Sequence, residues 1–407
     1  MHRPGVVHGE LTGFEALVRG TNQSGVRAHN ERLVLTLVRQ HGPLAKAQIA
    51  RMTGLSAQTV SVIMRALEAD GLLVKGEPVR GRVGQPSVPI GLAGGGAYFL
   101  GLKIGRRSVE LVLANFLGEI VARSRLTYPY PTPEGTIEFA RGAILQLTGQ
   151  LDPGERGKVA GLGIAMPFRI WEWARTIGLP PEAMAAWEEV DIRVEIARLC
   201  SYPVYLENDA SAACGAELVF GRALKPPDFL YFYIGYFIGG GLVLQDRLYT
   251  GRTGNAGALG SMPVPGLEGG VVQLVDSASL FRLERALQAA GHETQSLWLA
   301  PDGWTVDPVI LGQWVEEAVG GLSHAIAAAC SVIDFETVMI DGWLPAALRR
   351  RLVEATQARL QDMALVGIEL PGVREGTIGP DARALGAASL PLSERFLVEA
   401  QAAPIPA

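Results

Sequence analysis

Residues 201–221 read SYPVYLENDASAACGAELVFG, and the reading of this stretch decides the fold. Val204-Tyr205-Leu206 is a short alternating run that suits a strand. Ala212, Ala213, Gly215 and Ala216 follow, small enough to let a helix lie close against a sheet. Between strand and helix stand Glu207, Asn208 and Asp209, at the carboxyl end of the strand, where an open α/β sheet presents its ligand groups. Two carboxylates and an amide are suited to gripping hydroxyls, or to taking a proton from one. Asn208 and Asp209 also have a plainer use as caps of the helix. The stretch alone leaves both readings open.

Working outward, a chain of 407 residues implies two or three domains and an ample core. The formal net charge is −5, but residues 1–90 hold 11 Lys and Arg against 6 Asp and Glu. A basic head on an acidic body points to nucleic acid at one end only. Three scattered cysteines, Cys200, Cys214 and Cys330, give neither metal spacing nor a disulfide framework. No signal peptide is visible. The most apolar run, Phe229 to Leu244, is too short and glycine-rich for a bilayer span, which takes about 20 apolar residues. The expectation is a cytoplasmic protein.

Residues 1 to about 25 lack clear periodicity and read as an arm. Ala28 to His41 fits a helix with Leu33, Val34 and Leu37 on one face, stopped by Gly42-Pro43. Leu44 to Met52 gives a second helix and Thr53-Gly54-Leu55 a turn. Ser56 is a natural N-cap for a third, running to about Asp70. On that helix Val60, Ile63 and Leu67 face inward, leaving Gln58, Thr59, Ser61 and Arg65 for another surface. A strand at 71–74 and a basic glycine loop, Arg80 to Pro86, complete what looks like a winged helix-turn-helix over residues 26–92. Such a module lays its third helix in the major groove, where Gln and Arg read base edges. The DNA-facing candidates are Ser56, Gln58, Thr59, Ser61 and Arg65, with Arg80 and Arg82 for phosphate or the minor groove. A small helical protein-interaction domain with a merely solvated polar face is the alternative.

Ala93 to Ala97, AGGGA, reads as a hinge. Beyond it the pattern turns α/β. A strand begins at Tyr98 and leads to a hairpin in SVELVLANFLGEIVARSRL. A helix follows within 131–150, a buried strand at 159–164, an irregular insertion at 171–189 and a helix at 190–200. A second lobe starts near Phe229 with a strand pair around IGYFIGGGLV. It becomes mostly helical, with one further strand at 337–340 and a closing small-residue helix at about 381–390.

The order of these pieces carries a resemblance. A winged-helix-like start, a hairpin at 98–123, LENDA, a glycine loop, GNAGALG and IGPDARALGAASL succeed one another along the chain. That succession resembles the ROK family (repressors, open reading frames and sugar kinases) from about Val26 onward. The resemblance implies an α/β fold of two actin-like, ribonuclease-H-like lobes, at 97–225 and 226–380, behind the DNA-binding head. Residues 381–407 would form a helix crossing back to the first lobe, with a tail. It also makes Asp209 the match to the family's catalytic base, a hydroxyl acceptor in repressors, with Glu207, Asn208 and Asn255 as the other surviving ligand-binding candidates.

Against that pattern the chain departs at each kinase feature. The family's Asp-x-Gly-x-Thr loop handles magnesium and phosphate; in GLKIGRR, Lys103 stands where the Asp belongs and Arg107 where the Thr belongs. An ammonium cannot coordinate a cation, and phosphoryl transfer depends on metal-assisted neutralisation of charge. Lys103 could hold an anion or pair with a carboxylate. In Gly235-Tyr236-Phe237-Ile238-Gly239-Gly240-Gly241, two rings replace small residues of the second phosphate loop, which leaves a tight turn. Gly-Glu-Ile-Gly-His has become Gly257 to Ser261 without its Glu and His. The zinc-binding cysteines that should follow are missing: 266–279 offers only Glu268 and Asp276. Trp171 and Trp173 could stack on a ligand, while Trp187 reads as core. The sequence therefore predicts a non-catalytic regulator without cofactor or structural metal. It would be a homodimer on a double-stranded DNA operator, controlled by a carbohydrate-related molecule in the cleft. The rivals are a sugar kinase with a fused DNA-binding head and a regulator whose vestigial cleft answers to a protein partner.

Overall fold

The computed structural model describes residues 23–78, 88–174, 176, 178–222, 226–267 and 269–398. The head consists of α1 (Gln23–His41), α2 (Lys46–Thr53) and α3 (Ala57–Ala69) with a wing of β1 (Leu73–Lys75) and β2 (Ile90–Leu92), antiparallel to each other. Helix α1 begins five residues ahead of the expected Ala28, so its first three residues, Gln23 to Gly25, fall in the stretch read as an arm. An exposed Arg27–Glu31 pair at 2.8 Å spans that extension, and charged i,i+4 pairs carry no apolar signal. The buried face of α1 centres on Val34, Leu35 and Val38, one residue round from the expected Leu33–Leu37 face.

The first lobe is β3 (Tyr98–Ile104), β4 (Ser108–Asn115), β5 (Ile120–Thr127), α4 (Pro133–Gly149), α5 (Pro153–Arg156), β6 (Val159–Met166), α6 (Ala186–Glu189), α7 (Ile192–Ala197), β7 (Val204–Asn208) and α8 (Asp209–Phe220). The second opens with β8 (Phe229–Ile234), β9 (Ile238–Leu244) and β10 (Arg247–Tyr249). It continues through the small ribbon β11 (Pro263–Pro265) and β12 (Val271–Gln273), then α9 (Val275–Ala278), α10 (Leu280–Ala289), α11 (Ser296–Leu299) and α12 (Pro308–Cys330). It closes with β13 (Thr337–Gly342), α13 (Ala346–Asp362), β14 (Gly372–Glu375) and α14 (Ala382–Phe396). The sheets are ordered β5-β4-β3-β6-β7 and β10-β9-β8-β13-β14, the same 3-2-1-4-5 order in each lobe's own chain sense. In both, the first three strands are antiparallel and the last two join in parallel. This repeat is the actin-like, ribonuclease-H-like α/β duplication. No helix among the described residues is long and apolar enough to cross a membrane.

Several expectations need correcting. AGGGA is no hinge: Gly94 to Gly96 form a 3₁₀ turn, Gly96 is buried, the Phe116 amide donates to the Gly94 carbonyl, and Lys158 Nζ donates to that of Gly95. A Cβ on Gly96 would lie 2.9 Å from the Gly71 carbonyl oxygen, so these glycines serve close packing of head on body. The second lobe holds more strand than foreseen, in β10, β11, β12 and β14, all three or four residues long and without a clear alternation. The tight turn expected within Gly235 to Gly241 is present at Gly235-Tyr236-Phe237, while the glycine run lies beyond it in β9, where a Cβ on Gly241 would come within 2.7 Å of the Cys214 Cβ on α8. The helix expected at 190–200 shrinks to Ile192–Ala197, and the closing helix extends to Phe396 through Pro391.

Helix α14 is the centre of the packing. It lies on β3, β6 and α8 at backbone distance: a Cβ on Gly101 would meet the Ala384 oxygen at 2.2 Å, one on Gly163 the Ala387 oxygen at 1.8 Å, and one on Gly386 the Ala212 oxygen at 2.0 Å. The turn that launches it is pinned by buried carboxylates. Asp341 accepts from the Gly379 amide (2.8 Å), Tyr231 Oη (3.1 Å) and Arg349 Nη1 (3.2 Å), while Glu217 accepts from the amide and hydroxyl of Thr377. Its far end enters the core that joins head to body. Phe396 packs edge-on against Phe99 and Phe116, Arg39 of α1 donates to the Phe116 carbonyl at 2.6 Å, and the Val398 amide donates to Thr36 Oγ1.

Gly163→Ala should therefore lower Tm sharply, because the clash is with backbone; overpacking costs about 1–3 kcal/mol, occasionally more. Gly142→Ala on α4, where the methyl meets nothing within 4 Å, is the control and should be neutral or stabilising. Equal thermal unfolding curves for the two variants would refute the close-approach account.

Candidate functional site

Two surfaces carry the sequence candidates. On α3 the Ser56 hydroxyl caps the helix by accepting from the Thr59 amide (3.1 Å) and shares a further hydrogen bond with Thr59 Oγ1 (2.9 Å). These two hydroxyls are thus occupied with each other. Gln58 and Arg65 are exposed, Arg65 Nε resting on the Ser61 carbonyl, and Ser61 is half-buried. Val62, which sequence reading passed over, is exposed between them at i+4 from Gln58. Arg80 and Arg82 lie outside the described residues.

In the cleft, β7 delivers Glu207 and Asn208, and α8 begins at Asp209. Asn208 is a cap, its Oδ1 accepting from the amides of Ala210 (3.0 Å) and Ser211 (3.4 Å). Glu207 Oε1 accepts from the Asn208 amide at 2.7 Å, and burial raises its pKa. Asn255 sits exposed on the loop after β10. Asp209 is buried and ion-paired at 3.2 Å with Arg383 of α14, whose guanidinium also stacks over Tyr233 at 4.8 Å. The four candidates therefore split: a cap, a strand-end carboxylate, a surface amide and one paired acid. Arg383 is the partner that sequence reading missed, since 174 residues separate it from Asp209.

Beside this pair the sheet turn of the first lobe is strongly basic. A cavity of about 40 Å³ is lined by Lys103, Arg106, Arg107, Arg125 and Arg383 together with Ser108 and the rings of Tyr236, Trp298 and Trp343. Among the described residues Lys103 pairs with no carboxylate, one of the two uses the sequence allowed; its Nζ donates to Ser108 Oγ at 2.7 Å, and the neighbouring Glu110 is taken by Arg123. Burial, with Arg383 and Arg125 adding repulsion against the pull of Glu110 and Asp209, pushes the Lys103 pKa down to about 7. Arg106 is sandwiched by Trp173 (4.9 Å) and Phe237 (4.2 Å), and burial lowers its pKa to about 10. Tyr236 and Phe237 join Trp173, Phe281 and Trp298 in one aromatic cluster that fills the turn. Trp187 is core, its Nε1 donating to the Pro131 carbonyl. Among the described residues no three His, Cys, Asp or Glu gather as a metal site, and Glu268 lies outside them.

Residues 99–277 match the sequence model of the ROK family, and residues 27–74 match that of a winged helix-turn-helix DNA-binding domain. The chain thus carries a ROK family domain behind a winged helix-turn-helix domain. The ROK domain here is similar to the xylose repressor of Bacillus subtilis (strain 168), 26% identical over 243 residues, 60% of this chain and 62% of that protein. It is 31% identical over 271 residues to the bifunctional enzyme NanE/NanK of Brucella melitensis, covering 64% of this chain and 49% of that one. Each alignment thus spans less than two thirds of the relative's own length. Among solved structures, a ROK family transcriptional regulator described as a homolog of the E. coli MLC protein superposes with a TM-score of 0.63 at 20% identity, over 91% of this chain and 97% of that one. That likeness fixes the fold.

The Lys103 environment has a measurable consequence. Between pH about 7 and the unfolded value near 10.5 the unfolded chain keeps the proton that the folded chain has lost, so this group makes stability rise with pH across that window. Below pH 7 the folded ROK domain carries a buried charge costing on the order of a few kcal/mol. Lys103→Met should accordingly raise Tm most near pH 6 and progressively less toward pH 10. A difference that is constant with pH would contradict the buried ammonium.

Proposed function

We propose that this chain is a DNA-binding transcriptional regulator, repressing from a two-fold operator. Its interlobe cleft takes a carbohydrate-related effector and transfers no phosphate. The observation that carries the reading is the pairing of a DNA-binding head with a ROK cleft in which Lys103 occupies the metal-handling position. A buried ammonium there opposes the divalent ion on which phosphoryl transfer relies. The xylose repressor's name supports repression and a sugar effector. We assign the head to 26–92, the lobes to 97–225 and 226–380 and the closing helix to 381 onward. Two heads in a homodimer would place their α3 helices in successive major grooves about one helical turn, or a multiple, apart. Gln58, Ser61 and Arg65, with Val62 against a thymine methyl, would read bases, while Arg80 and Arg82 would hold backbone.

A route for control follows from α14. It carries Arg383 in the cleft and Phe396 beside α1, so an effector that draws Arg383 from Asp209 shifts the helix on which the head is seated. An effector acts only through its differential affinity for the two arrangements.

A kinase with a fused head is the second reading, favoured by the retained Asp209 and the relation to NanE/NanK. A coupled ATP-consumption assay across hexoses, amino sugars and N-acetyl sugars separates them. The regulator reading expects no sugar-dependent turnover, and turnover abolished by Asp209→Ala would replace it with the kinase. For DNA, mobility shifts on the region upstream of the chain's own gene should show sequence-specific binding. Gln58→Ala with Arg65→Ala should erode that discrimination, at about 1–3 kcal/mol per lost base contact. Unchanged discrimination would rule out α3 as the reading helix.

A further inference from the structure

The basic cavity beside the Asp209–Arg383 pair is built for something the protein itself does not supply. Five cations line it, and no carboxylate does. Two of the five are answered from nearby: Arg107 by Glu284 at 2.8 Å and Arg383 by Asp209 at 3.2 Å. Three have no carboxylate among the described residues. Lys103 has only the Ser108 hydroxyl, and Arg125 donates to the Trp298 carbonyl at 3.1 Å while lying over the Trp343 ring. Arg106, 8% exposed, has no hydrogen-bond acceptor among the described residues, and its buried Nε is unsatisfied there. Its guanidinium lies against the faces of Trp173 and Phe237, with the Asp209 carboxylate acting on it from beyond hydrogen-bond reach.

Desolvated cations without counter-charges are expensive, and structures that keep them ordinarily pair them. Here no carboxylate among the described residues pairs with Lys103, Arg106 or Arg125, and the three line one cavity. We propose that this cavity is an oxyanion subsite, which takes the phosphate or carboxylate group of an acidic sugar derivative through Lys103, Arg106 and Arg125 without a metal ion. The inference rests on the reading of the cleft as an effector site and narrows its ligand from neutral sugars to charged ones.

Size agrees with this. A cavity of about 40 Å³ has room for roughly three water positions at 10–15 Å³ each, enough for one compact oxyanion and too little for a sugar ring. The ring must then lie outside the cavity. Arg383 lines the cavity and grips Asp209, so the anion and the acid that would accept sugar hydroxyls share one cation. Charge-assisted hydrogen bonds to guanidinium are the strong ones, and Arg suits planar or tetrahedral oxyanions through paired donors. The aromatic walls fit the same purpose: Tyr236, Trp298 and Trp343 limit water beside the site, and a lower local dielectric strengthens an anion's hold.

The test uses full-length protein in a non-coordinating buffer, with inorganic phosphate and acetate as probes and chloride at matched ionic strength as the reference. Melting temperature and calorimetric titration are read together. The expected result is a saturable rise in Tm with phosphate or acetate beyond that with chloride, and the stronger of the two names the preferred oxyanion. Arg106→Gln should weaken that binding about tenfold or more, as loss of a charged hydrogen bond predicts. Arg125→Gln, at an exposed position and so safe for folding, should weaken it as well. The proposal is overturned if both anions do no more than chloride, or if they bind both variants as tightly as the native chain. Mobility shifts on the same preparations report separately on the regulator. Specific operator binding without oxyanion binding overturns the subsite alone, and oxyanion binding without operator binding overturns the regulator while supporting the subsite.

Discussion

Helix α14 touches the first sheet through backbone, and the architecture follows from that contact. The Ala387 oxygen lies 1.8 Å from where a Cβ on Gly163 would be, and the Ala384 oxygen 2.2 Å from one on Gly101, so only glycine floors allow the helix this depth. A helix so seated cannot roll without leaving its groove. It therefore fixes Arg383 in the cleft and Phe396 at the junction of head and body at once, about 20 Å apart at 1.5 Å per residue. The buried carboxylates Asp341 of the second lobe and Glu217 of the first hold the turn before it, so both lobes set where the helix begins.

The chemistry of the cleft is governed by a reversal of charge on the same scaffold. On the proposed reading, Lys103 and Arg107 stand where the resemblance would put the metal- and phosphate-handling residues of the family's kinases, and Arg106 adds a third cation next to them. The aromatic turn Tyr236-Phe237 then packs against those guanidinium planes at 4.2 to 5.5 Å. Cation and ring stabilise each other, so the turn is filled by the protein's own side chains. What Asp209 meets is Arg383 at 3.2 Å, an arrangement that holds charge in place.

The fold was legible because its signals are local and ordered along the chain: an alternating strand, LENDA, a glycine run, and a capped helix after a Gly turn. Ser56 is the N-cap its sequence suggests, and Trp187 is core. The site was less legible, because its contacts cross the chain. Asp209 and Arg383 meet only when α14 returns, and no periodicity marks an arginine for a partner so far away. The adjacent Arg106 and Arg107 did sit beside Lys103 in GLKIGRR, and a cluster of like charge was there to be read. Asn208 shows the opposite failure: its residue type fits both ligand and cap, and only the geometry of two amide donors decides. The loop at 235–241 was read as a tight turn and is one at 235–237, but the packing use of Gly239 to Gly241 against α8 could not be read from residue type.

The most direct measurement of the account is operator affinity when the cleft end of α14 is altered far from DNA. Arg383→Gln and Asp209→Asn each break the pair, and fluorescence anisotropy on a labelled operator reads the head. If the helix couples cleft to head, both variants should shift operator Kd several-fold in the same direction while circular dichroism shows the fold retained. Operator affinity equal to the native chain's in both folded variants would contradict it.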